Sequence, residues 1–123
     1  MPTIHPTEAA RHQLGGSTFD TYVAPSTGAE QLCAWRLEVR PALPGLPHRP
    51  SNEEVLLVLE GVLCGELDGA AFALRPGEVL HVPAGAQVRI DGGERGATAW
   101  VTTSVGLHAI TEAGERIDPP WAQ

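Results

Sequence analysis

Few side chains in this sequence could carry chemistry, and the densest group lies between Gly45 and Gly61. There His48 is followed closely by a glutamate tandem, Glu53-Glu54. A carboxylate beside an imidazole favours the protonated ring, so His48 and Glu54 form a candidate acid–base pair, or an anchor for an acidic ligand. The plainer alternative is a loop staple in which Glu54 accepts backbone N–H groups. His81 and His108 fall in strand-like runs and read as surface or interface histidines. His5 and His12 lie in a loose N-terminal segment and are expected in solvent. Cys33 and Cys64 form no CxxC pair, so buried, reduced thiols are expected of both. Two cysteines are too few for a zinc–cysteine cluster.

Composition narrows the partners. The net charge is −7, and all eight basic residues are arginine. An acidic surface repels phosphate backbones, which argues against nucleic acid. Without lysine there is no Schiff-base chemistry from a lysine amine. No apolar run approaches the ~20 residues that span a bilayer, so no membrane partner is expected. The N-terminus lacks the basic start and apolar core of a secretory signal, which sets a cytoplasmic expectation. At 123 residues, 42% of them apolar, one domain with its own core is expected.

The elements that must position these residues read mostly as strands. Residues 7–14 suit a short helix, capped by Thr7 and ended by Gly15-Gly16. From Ser17 the pattern turns to β. Residues 31–39 place Cys33, Trp35, Leu37 and Val39 on one face, with Arg36 and Glu38 on the other. The loop over 41–52 is too rich in proline for a ladder, but its fixed φ angles suit it to hold His48 at a cavity mouth. The run VLLVLE, 55–60, is apolar on both faces and should be covered on both sides, which suits a homodimer. Asp68-Gly69 signals a tight hairpin. After the Pro83–Gly85 turn, Val88 and Ile90 share a face. Together this makes about nine short strands, the signature of an all-β sandwich or barrel. Trp35, Leu37, Val88 and Ile90 are the expected apolar lining of its interior. Trp121 in the tail should pack on the barrel or on a second subunit. The expected division is an arm or short helix over 1–16, a barrel over 17–112 and a tail over 113–123.

Two stretches carry a family resemblance. In the first, His48, Glu54 and Gly61 keep the spacing of the first cupin motif, with Pro50 where a second histidine belongs. In the second, Gly77, Pro83 and Gly85 keep the spacing of the second motif, with Val88 at the histidine position. The chain thus resembles the cupin superfamily, which implies an all-β double-stranded β-helix (jelly-roll) barrel, one domain, one pocket and commonly a dimer. Metal-binding cupins hold a divalent ion with three histidines and a glutamate. Carried over, only His48 and Glu54 remain as metal ligands. No cofactor is therefore expected, although a divalent transition metal stays open if Asn52, Glu53, His81 or His108 compensates. The function this implies is binding of a small, partly apolar organic molecule, with modest acid–base activity as an option. A small aromatic or unsaturated acid, paired with charged His48, is the ligand expected. The alternatives are a metal-dependent dioxygenase, isomerase or polyketide-type cyclase, and a filled, purely structural dimer.

Overall fold

The computed structural model of the chain describes residues 3–42 and 44–123. Met1 and Pro2 of the arm, and Leu43 of the proline-rich loop, lie outside the described residues. Two antiparallel six-stranded sheets face each other. The first runs in the order β1 (Ala10–Leu14), β2 (Ser17–Val23), β3 (Leu32–Val39), β10 (Ala97–Ser104), β5 (Glu54–Gly61) and β8 (Val79–Val82). The second runs β12 (Arg116–Ile117), β11 (Ala109–Thr111), β4 (His48–Pro50), β9 (Val88–Asp91), β6 (Leu63–Leu67) and β7 (Ala70–Leu74). The chain crosses repeatedly between the two, which is the jelly-roll form of a cupin barrel.

Period-two alternation builds the shared interior. Cys33, Trp35, Leu37 and Val39 of β3 are buried, and so are Leu56 and Val58 of β5 and Val101 of β10. Leu63 and Val88 meet them from the second sheet. The Asp68-Gly69 hairpin forms as its residues suggest, with both φ angles positive between β6 and β7. Gly61 ends β5 with φ +73°, and a Cβ there would sit 2.2 Å from the Gly96 carbonyl oxygen. Only glycine allows β5 to finish that close to the start of β10.

Three strands differ from expectation, each for a physical reason. Residues 10–14 form β1 and not a helix; only Pro6–Glu8 makes a short 3-10 turn. The segment has little apolar surface to bury as a helix, whereas as a strand it pairs along its whole length with β2. Arg11 secures that pairing with two hydrogen bonds to Asp20, at 2.8 and 3.1 Å. Gly15-Gly16 thus closes a hairpin where it was expected to stop a helix. The proline-rich loop also enters a ladder, because His48–Pro50 forms β4 between β9 and β11. Pro50 gives no N–H, but its carbonyl accepts one from Gly85 at 2.7 Å. β12 adds a two-residue pairing beyond the expected barrel end, so the sheets run from Ala10 to Ile117.

The run 55–60 is not covered on both sides. Leu56 and Val58 face the core, whereas Val55, Leu57 and Leu59 are 41%, 36% and 41% exposed. β5 lies in the outer wall of the barrel, and among the described residues no layer rests on its far face. No helix among the described residues is long and apolar enough to cross a membrane.

Candidate functional site

The space between the sheets is a cavity of about 360 Å³. That lies within the range of small-molecule sites. Its wall includes Trp35 and Leu37 from β3, Ile90 from β9, and both His48 and Glu54. Val88 is buried in the packed core and is not part of the lining. Pro50, two residues after His48, is part of it.

The two cupin-like stretches meet here through backbone pairing. His48 and Val88 are direct partners across β4 and β9. Arg49 points the other way and donates to the Gly85 carbonyl at 3.1 Å and to Gln87 at 2.9 Å. The Pro44–Pro47 segment before His48 is fixed from β9. Asp91 accepts the Gly45 N–H at 2.7 Å and is itself gripped by Arg89 at 2.9 to 3.1 Å. Burial works against ionisation of Asp91, yet hydrogen bonds from Arg89 and Gly45 hold its carboxyl below the usual range. Gly45 lies flat on β9, where a Cβ would sit 2.0 Å from the Ile90 carbonyl oxygen. Asp91→Ala should therefore loosen the cavity mouth and cost roughly 1–3 kcal/mol, most of it from unpaired Gly45 and Arg89. Chemical denaturation checks the cost, and faster amide exchange at Gly45 shows where it falls.

His48 donates from Nδ1 to the Leu46 carbonyl at 2.9 Å, since a carbonyl can only accept. Its Nε2 makes no hydrogen bond among the described residues. Glu54, at the start of β5, has its carboxyl pushed up to about 7 by burial, with no partner charge to offset it. Neither of the two bonds weighed for Glu54, to His48 or to backbone N–H groups, is formed among the described residues, and burial is the cause of its shift. Both residues line one cavity without a hydrogen bond between them.

Of the donors that could have rebuilt a metal site, His81, Glu53 and Asn52 are engaged elsewhere. His81 bonds through Nε2 to Glu53 on the outer side of the first sheet, with both side chains largely exposed. Asn52 donates to Ser104 and to the Val105 carbonyl. His108 is half-buried, and its backbone N–H is bonded to Ser51. Among the described residues, no three His, Cys, Asp or Glu side chains are grouped to hold a metal ion. His48 and Glu54 fall short of the three protein ligands of a catalytic centre, so this donor set does not fit the metal of metal-binding cupins. Both cysteines are free, with Cys33 buried and its thiol pushed up by that burial.

The aromatic wall near the tail was only weakly marked in the sequence. Trp121 packs on the barrel, with its ring stacked on Phe19 at 3.6 Å and 5°. Both rings line the cavity. The Trp121 carbonyl accepts from Thr21 at 2.7 Å, and that of Gln123 accepts from the Ser26 N–H at 3.2 Å. The lone aromatic in a proline-rich tail was the available signal; its partner Phe19 was not marked by anything local.

Comparison with solved structures bears on the architecture. The polyketide cyclase RemF from Streptomyces resistomycificus superposes with a TM-score of 0.76 at 21% identity, over 96% of this chain and 82% of that one. An RmlC-like cupin from Shewanella frigidimarina gives 0.70 at 19% identity, over 81% of this chain and 86% of that one. A cupin-superfamily sugar phosphate isomerase from Silicibacter pomeroyi gives 0.72 at 19% identity, over 90% and 82%. At such identities the likeness is one of fold. No protein-family model matches the chain, and no curated protein matches it significantly. The chain is a small cupin-fold protein.

Proposed function

We propose that this cupin binds a small, largely apolar organic molecule inside its barrel, without a resident metal, and can exchange protons with it through Glu54 and His48. The observation that carries this reading is a roomy, apolar-walled cavity whose described lining has two ionisable residues, His48 and Glu54. A carboxyl with a pKa near 7 is placed to give or take a proton at neutral pH. The His48 Nε2, with Nδ1 held by Leu46, is the second proton-exchanging atom in this reading. Sheltering from water strengthens both effects. The alternative is a metal-dependent cupin enzyme, a dioxygenase, isomerase or polyketide-type cyclase. It has these same two residues to start from, and the likeness of fold to RemF keeps the cyclase in view. A thermal-shift screen of small aromatic and polyunsaturated compounds should yield stabilising hits from the binding reading. Elemental analysis of protein prepared without nickel resin separates the two: one iron, zinc, manganese or nickel per chain, lost in Glu54→Ala, would favour the metal enzyme.

The partner we propose is a second copy of the chain, seated on the outer face of the first sheet. Val55, Leu57 and Val79 are 41%, 36% and 50% exposed there. On the same face Tyr22 and Trp100 meet edge to face at 5.2 Å. Arg36 lies near Glu38 and Glu60 at 4.0 and 3.8 Å, so the rim carries both signs of charge, as a two-fold self-contact needs. Light scattering with size exclusion should give twice the chain mass at micromolar concentration, and Leu57→Arg should return it to the monomer. A monomeric parent protein would refute the pairing.

A further inference from the structure

If the cavity binds a ligand as proposed, its lining also dictates what charge that ligand carries. The chain has no lysine, and none of the described residues lining the cavity is an arginine. His48 and Glu54 are the two ionisable groups facing the space. The His48 Nδ1 is already engaged with the Leu46 carbonyl, which leaves only Nε2 to meet a ligand. A carboxylate ligand would therefore find no arginine or lysine to pair with and would meet Glu54, a like charge in low-dielectric surroundings. This argues against the small organic acid expected from the sequence. A cationic ligand could pair with ionised Glu54, but desolvating both charges between apolar walls offsets much of the gain.

The shape of the wall adds a second constraint. Trp35 and the stacked Phe19–Trp121 pair offer flat aromatic surface. The tail bonds to Thr21 and Ser26 hold the Trp121 ring in place before any ligand arrives. A preset aromatic surface favours a planar partner at little ordering cost. A hydroxyl is the neutral group that suits Glu54 in either protonation state. It gives its proton to the carboxylate and accepts one from the acid. We propose that the cavity takes an uncharged aromatic alcohol, of the phenol or enol class, with its ring on the Trp35 and Phe19–Trp121 surfaces and its hydroxyl on Glu54.

Three ring-matched probes test this: 2-naphthol, 2-naphthoate and 2-naphthylmethylammonium, titrated calorimetrically into the full chain at pH 8. The neutral alcohol should bind at least tenfold more tightly than the anion and more tightly than the cation. In Glu54→Gln, which keeps hydrogen bonding and removes the charge, the anion should come within about threefold of the alcohol. Equal or tighter binding of naphthoate or the ammonium to the parent protein overturns the charge class while leaving a binding cavity in place. An unchanged gap in Glu54→Gln overturns the role of Glu54. Should no probe bind, the ligand-binding reading falls, and the aromatic alcohol with it.

Discussion

Replacing Glu54 by glutamine should make the protein more stable at pH 8 and leave it nearly unchanged at pH 5. The folded chain holds this carboxyl at about 7, above its ordinary 4.5, because the cavity shelters it from water. A carboxyl raised in this way stabilises the fold fully below its unfolded pKa, where it is neutral in both states. That contribution is lost as pH rises through the folded value, because the folded state must then hold a poorly solvated charge. The stability of Glu54→Gln minus that of the parent should therefore grow between pH 5 and pH 8, by up to roughly 3 kcal/mol. Urea denaturation of both proteins at the two pH values, at one protein concentration, measures it. Taking the difference cancels the histidines, which titrate in the same window. A difference that stays flat would mean that Glu54 is well solvated or paired, and its role as a neutral-pH acid would be lost. The same experiment bears on function, since a residue held where it costs stability is one that binding or chemistry has to explain.

The sequence carried the architecture further than the site. Motif glycines such as Gly61, the Asp68-Gly69 turn and the alternation of Cys33, Trp35, Leu37 and Val39 are local signals, and the fold follows them. β1 and β4 were illegible because their reasons are not local. β1 exists because β2 offers it a complete ladder, and β4 because Gly85 supplies a donor to a proline carbonyl. The site divides in the same way. His48, Glu54, Trp35, Leu37 and Ile90 reach the cavity from positions that spacing and parity could mark. Phe19 and Trp121 are about a hundred residues apart in the chain, and only closure of the barrel makes them neighbours. The facing of His81 was also unreadable, since strand parity fixes a face but not which face is inward. Its partner Leu80 is buried, so His81 turns outward to Glu53.

Val88 and Ile90 give the sharpest separation of a hollow barrel from a filled one. They share β9 and the same face, yet Val88 is 1% exposed in the packed core, whereas Ile90 is half-buried on the cavity wall. Val88→Trp must place an indole where no space exists, directly opposite His48 in the ladder. Overpacking a dense core costs about 1–3 kcal/mol for added methylenes, so a whole ring system should cost roughly 3 kcal/mol or more. Ile90→Trp can turn its ring into the 360 Å³ of open space and should stay within roughly 1.5 kcal/mol of the parent. It should also lower affinity for any cavity ligand at least tenfold, because the ring takes the ligand's place. Thermal and urea midpoints of the two variants, followed by titration of a ligand into Ile90→Trp, provide the comparison. If both substitutions destabilise alike, the interior is close-packed throughout, and the purely structural dimer becomes the better account of this chain.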